Sequence, residues 1–311
     1  IMMYKGERAA AMIEAGELSV LNDLMSKETY DRLVNEFQDC QTKAPVFMDG
    51  NLYGVYMMVA SHQLMYNERL LREANIAVPT TAQEFVDAAI QLTKAPDQYG
   101  YGFMTLSEDA FVNDIYMWAL GFDGDIFNDG FHFDSDGVKQ ALLYYKQLFD
   151  AEATPIGVSK TTYRTMFAQG QVAYLIDGPW VYSFAQSLEN NEADNIRTAA
   201  VPFETGRSVM SENLMTIPTD AKNKEGAMLY IEMCTEYANQ AKFTELTNCT
   251  AGIPDAISAE WLAENPWFSG YVDGAAGATA VVPDKYATIN NEIRKIVLDN
   301  CQEILYGNAD I

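Results

Sequence analysis

Histidine and cysteine are scarce in this chain of 311 residues, which has two of the first and four of the second. The histidines, His62 and His132, lie far apart and no H-E-x-x-H occurs, so no metal site is expected. Cys40, Cys234, Cys249 and Cys301 are scattered without any C-x-x-C, which argues against zinc ribbons and thioredoxin chemistry and for separate buried thiols. Cations are few as well: 20 Lys and Arg stand against 44 Asp and Glu, a net charge of −24. Such a field repels phosphate backbones and anionic lipid, so neither nucleic acid nor a membrane surface is expected as a partner. It suits a neutral or cationic ligand. No apolar run has the length of a membrane span. The opening "IMMYKGERAAAM" has neither the basic head nor the cleavage site of a secretory leader, so an upstream segment is expected to be missing.

Catalytic signatures are missing too. There is no G-x-S-x-G, and neither histidine has a local partner for a nucleophile. "GYG" at 100–102 lacks the third glycine of a phosphate loop, and "GAAGAT" at 274–279 follows no clear strand. Asp123, Asp125 and Asn128 approach calcium-loop spacing, but Phe127 stands where an oxygen ligand is needed and Asn128 where glycine is needed. Turns, with Asp134 or Ser135 capping the next helix, are the simpler expectation. Among 44 acids, pairs suited to glycoside hydrolysis arise by chance, so they carry almost no signal. No cofactor is expected.

What the chain does have is a core: 49% of its residues are hydrophobic, and its length suits two lobes better than one. Residues 1–4 read as a strand and 7–15 as a helix stopped by Gly16. Residues 50–67 read as two strands broken at Ala60-Ser61-His62. Thr81 and Glu84 have capping-box spacing for a helix reaching about Thr93. A strand is expected within 97–103, a helix over 110–120, a turn-rich hairpin over 121–137 and a helix over 138–149. Two further helices are expected near 223–236 and 238–247. Ile289, Ile293, Ile296, Val297, Cys301, Ile304 and Leu305 form a final amphipathic stripe. Strands alternating with helices make the class α/β.

The stretch "LIDGPW", 175–180, ends an apolar strand at Asp-Gly-Pro and places a tryptophan at once after it. Proline suits the first helical position, and Asp177 or Gly178 can cap. Trp180 then stands in the first turn of a helix at the C-terminal edge of a strand, where open α/β sheets bind ligands. It either closes the core there or offers its face to a cleft. Tyr116, Trp118, Tyr163, Tyr174 and Tyr182 make this half rich in aromatics. A pyranose stacks its C–H face on indole while its hydroxyls need polar partners, so the combination fits a neutral sugar.

Several stretches, in order, resemble the maltose-binding-like family of extracellular solute-binding proteins of ABC transporters. "GNLYGVYMMVASHQLMYNERLLREANIAVPTTAQEF" is similar to its G-K-x-Y-G-x-P, x-Y-N-K-D-L-F and P-x-T-W-x-E-F segments. "MFAQGQVAYLIDGPW" resembles F-x-x-G-x-x-A-M-x-x-x-G-P-W, and "CTAGIPDAIS" the G-x-x-P turn. "ENLMTIPTDAKNKEGAMLYIEMC" resembles the return strand and the helix after it.

The resemblance implies a two-lobed periplasmic-binding-protein-like fold with an interlobe cleft and crossing hinge strands. Lobe one would hold 1–60 and 215–264, and lobe two 63–212 and 266–311, with crossings near Val59–His62, Asn213–Ile217 and Ala263–Pro266. It implies capture of a sugar or oligosaccharide by a monomer without enzymatic activity, and delivery to ABC transporter permease subunits. It implies an extracellular or periplasmic protein, anchored as a lipoprotein in full-length form. The family's opening strand–helix units and last helix have no counterpart, so the chain is expected to be truncated at both ends. Carried over as ligand-binding positions are Trp180, Tyr4, Glu7, Arg8, Ser61, His62, Tyr116, Asp177, Glu212 and Asn213. The alternatives are a glycoside hydrolase using paired carboxylates and a binder of a cationic non-sugar ligand.

Overall fold

The computed structural model describes residues 1–36, 47–48, 50–127, 130–253, 256–279, 286, 289–307 and 309–311. The side chains of Glu7, Glu36 and Asp109, although these residues lie in helices, fall outside that description. In chain order the strands are β1 (Met2–Tyr4), β2 (Phe47–Met48), β3 (Asn51–Leu52), β4 (Gly54–Ser61), β5 (Gln63–Asn67), β6 (Tyr99–Gly102), β7 (Val172–Asp177), β8 (Ile196–Ala199), β9 (Ser208–Thr216) and β10 (Ala278–Thr279). The fold is α/β.

The chain forms two compact units. Unit 1 comprises Ile1–Ala60, Met210–Glu264 and residues 282–290; unit 2 comprises Ser61–Val209, residues 265–281 and Asn291–Ile311. β4 and β9 each run from one unit into the other. Met210–Glu212 belong to unit 1, whereas the resemblance places them in lobe two.

In unit 2 the sheet order is β6-β7-β5-β8. β7 runs parallel to β6 and antiparallel to β5, with Gln63 opposite Asp177. Every residue of β7 is buried, which is why Val172–Ile176 shows no polar alternation. Gly100 and Gly102 serve packing: a Cβ on Gly100 would stand 1.8 Å from the Ala89 carbonyl oxygen of the helix Ala82–Leu92, and one on Gly102 2.6 Å from Leu175. The aromatic excess fills the core. Phe85, Tyr101, Trp118 and Tyr145 pack ring to ring, and the Tyr145 hydroxyl donates to the Met104 carbonyl at 2.8 Å. Such rings contribute about 0.5–1.5 kcal/mol per pair beyond their buried area.

The helix Asp109–Gly121 is apolar nearly all round, and Asn290–Tyr306 packs near it. Arg294 Nη1 donates to Asn113 at 2.9 Å and the Tyr306 hydroxyl to the Thr105 carbonyl at 3.0 Å. Ile293, Val297, Cys301, Ile304 and Leu305 form its buried stripe, whereas Ile289 and Ile296 face out. Ile296 falls one residue before the i+4 step from Ile293 and is rotated off the stripe.

The expected hairpin over 121–137 is not formed: no strand occurs there among the described residues. Its glycines signal close packing instead. Gly137 lies in the first turn of the helix Asp136–Asp150, where a Cβ would meet the Phe122 carbonyl oxygen at 2.2 Å. Ser135 caps that helix through the Val138 N–H. Asp125 pairs with Arg207 at 3.2 Å, and Asn128 lies outside the described residues. The capping box at 81–84 is offset. Thr81 accepts the Glu84 N–H at 3.2 Å, but the Glu84 carboxylate turns to the N–H and hydroxyl of Thr80.

In unit 1, β1 pairs antiparallel with β9, Tyr4 opposite Leu214. The helix Gly6–Glu14 follows directly and buries Ala9, Ala10 and Ile13. Gly16 closes it at φ +69°, its N–H on the Ile13 carbonyl and the Glu17 N–H on Met12. A residue with a Cβ would be strained at that dihedral. Arg32 ties the helix Lys27–Glu36 to Thr235, donating to its carbonyl at 2.8 Å and to its hydroxyl at 3.0 Å. The segment Cys249–Gly252 runs beside β4 through Val59 N–H to Thr250 and Gly252 N–H to Met57; Pro254 and Asp255 lie outside the described residues. Cys234, Cys249 and Cys301 are free and buried, and Cys40 lies outside the described residues. Among the described residues no helix is long and apolar enough to cross a membrane.

Candidate functional site

The C-terminal end of β7 builds the site of unit 2. The chain leaves the sheet at Asp177, turns through Gly178 and Pro179, and starts the helix Trp180–Gln186. Pro179 has φ −64° and ψ −19°, already helical, and no side chain caps this helix. Trp180 is half-buried. Its indole lies back over the turn, for a Cβ on Gly178 would stand 2.1 Å from its Cη2. His62 meets the same ring edge-on, centroids 5.5 Å apart and planes at 76°.

Asp177 does not cap the helix. It is 1% exposed, and its carboxylate accepts Arg164 Nε at 2.8 Å, Arg164 Nη2 at 2.7 Å and the Gly178 N–H at 2.8 Å. Lys160 Nζ stands 3.9 Å from it and 3.7 Å from the buried Asp114. Burial would raise the Asp177 carboxyl, but Lys160 and Arg164 outweigh it and hold the group well below the usual carboxylate range. Burial raises the Asp114 carboxyl, opposed by Lys160 and by the Met104 N–H, which donates to it at 3.0 Å. Two carboxylates thus stand with two cations, and the ionised cluster has no net charge.

The site residues expected from sequence fall into two groups, one per unit. Trp180, His62 and Asp177 come together in unit 2, with Ser61 buried at the end of β4 and His62 the single residue between β4 and β5. In unit 1, β1 pairs with β9, Tyr4 opposite Leu214, and the helix after β1 carries Gly6 and Arg8. Glu212 Oε1 accepts the Gly6 N–H at 3.2 Å, and the exposed Arg8 guanidinium lies over the Tyr4 ring at 5.3 Å. The Asn213 amide contacts the Met58 sulfur at 3.8 Å. Glu7 lies in the same helix, its side chain outside the description.

Two expectations are corrected. Tyr116 is 2% exposed, packed edge-on against Phe127, and burial pushes its hydroxyl above the ordinary tyrosine value while Arg294 opposes the shift. It is a core residue, because its helix is apolar nearly all round. Asp177 contributes a buried charge to the turn rather than a cap or an open carboxylate.

Arg164 and Lys160 were not singled out from sequence, and Gly178 only as a possible cap, although a signal exists. Between residues 153 and 188 the only charged side chains are Lys160, Arg164 and Asp177. A lone acid ending an apolar strand, after a helix with two lone cations, marks the pairing.

The sequence profile of the bacterial extracellular solute-binding protein family matches residues 2–269. Among curated protein sequences no relative matches. Solved structures do. An ABC transporter solute-binding protein from Thermotoga lettingae TMO, bound with alpha-D-tagatose, aligns with TM-score 0.80 at 22% identity over 99% of this chain and 80% of that one. The GacH receptor of Streptomyces glaucescens, solved unliganded and with acarbose, aligns with TM-score 0.80 at 19% identity over 98% and 78%. Maltose-bound MalE3 of T. maritima aligns with TM-score 0.81 at 17% identity over 99% and 79%. These likenesses show a shared fold.

Proposed function

The chain belongs to the bacterial extracellular solute-binding protein family, and from that premise we propose that it captures a sugar or oligosaccharide for an ABC importer. Trp180 carries the reading: a half-buried indole, held in place at the C-terminal edge of a parallel strand pair, offers the flat apolar surface that a pyranose needs. The balanced charge around it favours a neutral ligand over a cation, despite the acidity of the whole chain. In unit 2, Trp180 and His62 form the stacking surface; in unit 1, Arg8, Glu212 and Asn213 are the polar candidates, with Tyr4 beneath Arg8. Binding is the whole mechanism, and the loaded monomer hands its sugar to permease subunits. Its place is outside the cytoplasmic membrane, held there as a lipoprotein.

Glycoside hydrolysis finds little support at this turn. A general acid must be protonated at working pH, whereas Asp177 is held ionised and is closed off by Arg164. A thermal-shift panel of mono- and oligosaccharides, polyamines and peptides tests the proposal, because a ligand of the native state raises the midpoint. A sugar is expected to stabilise. Trp180→Ala is expected to weaken that sugar's calorimetric affinity by roughly 1–3 kcal/mol. A response to polyamines alone would overturn the sugar assignment.

A further inference from the structure

We propose that Arg164, acting through Asp177, and Gly178 together set the orientation of the Trp180 indole. A ring that must meet a ligand flat requires space behind it and a turn that does not swing. Gly178 supplies the space: a Cβ there would stand 2.1 Å from Cη2 and 2.3 Å from Cζ2 and Cζ3 of the indole, and an aromatic ring cannot yield by bending. Arg164 supplies the fixed turn. Asp177 Oδ1 accepts both Arg164 Nη2 at 2.7 Å and the Gly178 N–H at 2.8 Å, so one oxygen joins the guanidinium to the first peptide of the turn. Arg164 Nε holds the other oxygen at 2.8 Å, and the Tyr271 hydroxyl holds the Asp177 carbonyl at 3.0 Å. Only Gly178 and Pro179 separate this anchor from Trp180, and the proline ring fixes one of their φ angles. The anchor can be rigid because Asp177 is 1% exposed and Arg164 is partly so, which shields the fork from water. Arg164 is therefore a positioning residue. Lysine in its place keeps the charge but cannot make the two-pronged contact.

The consequence for affinity rests on the stacking role proposed for Trp180; the orientation itself does not, and it is tested without ligand. The readout is the emission maximum and acrylamide quenching of Trp180, taken as the difference between each protein and its Trp180→Phe counterpart. Arg164→Met and Gly178→Ala are expected to red-shift that difference emission and raise its quenching constant, with Arg164→Lys intermediate. If Arg164→Met does not fold, the double variant Arg164→Met/Asp177→Asn, which leaves no lone buried ion, gives the same readout. A merely structural tie would lower the unfolding midpoint and leave the Trp180 signal of the native protein where it was. A difference signal equal to wild type in the folded Arg164 variant overturns the proposal. Unchanged sugar affinity in Trp180→Ala would instead overturn the stacking role and leave the orientation result intact.

Discussion

Each unit has an arginine that ties two elements, and the two ties differ in kind. In unit 2, Arg164 closes on a carboxylate that is 1% exposed, and both partners are ionised. In unit 1, Arg32 reaches the carbonyl and hydroxyl of Thr235, the residue that ends the helix Lys224–Cys234. The first tie is a buried ion pair whose loss on one side strands a charge. The second places a cation at a helix C-terminus, where it meets the partial negative charge of the last carbonyls. The candidate residues follow the same division. Trp180 is seated by its own turn, whereas Arg8 is exposed and Asn213 has a long contact to sulfur. Unit 2 offers a preset surface, whereas the Arg8 guanidinium of unit 1 is exposed.

The largest break in this contrast is expected from Asp177→Ala. It leaves Arg164 and Lys160 facing an empty carboxylate site and should cost about 3–5 kcal/mol in urea unfolding. A loss below about 1 kcal/mol would make the pair equivalent to a surface salt bridge. The same group gives a pH signature. Its carboxyl lies lower in the folded state than in the unfolded chain, so its stabilisation is complete above the unfolded value, about 3.9, and drains away as pH falls towards the folded one. Asp114, shifted upward, works in the opposite sense, adding stability on the acid side that is lost as pH rises through its folded value. Unfolding midpoints measured from pH 7 down to pH 2 should fall less steeply in Arg164→Met/Asp177→Asn than in the wild type. Arg32→Ala should cost roughly 1.5–3 kcal/mol, the range for a hydrogen bond with one charged partner. An effect as large as that of Asp177→Ala would erase the distinction between the ties. Leu246→Ser, at a side chain 72% exposed in unit 1, should change the free energy of unfolding in urea by no more than about 0.5 kcal/mol.

Much of this was legible wherever a residue type has one local use. Gly16 ends its helix because the dihedral there excludes other residues, and Pro179 starts one because its ring is already helical. β7 could be read from its unbroken apolar run and the Asp-Gly-Pro stop. Legibility failed where one residue type serves two ends. The glycines at 124 and 137 look like hairpin punctuation, yet they mark close backbone approach. Tyr116 looked like a cleft aromatic because an all-round apolar helix has no face that periodicity can assign. The partner of Asp177 lies thirteen positions earlier, on a helix that doubles back beside the strand, so only the pairing in space reveals why that acid is there.

The buried sulfurs give each region a built-in chemical clock. Cys301 reports on unit 2, and Cys234 and Cys249 on unit 1. Burial pushes Cys249 up to about 11 and Cys301 up to about 12, so in the folded protein these two hold little reactive thiolate at neutral pH. Once Cys40 is replaced by serine, the alkylation rate at each remaining sulfur counts how often its surroundings come apart, and mass spectrometry of a single sample reads both clocks.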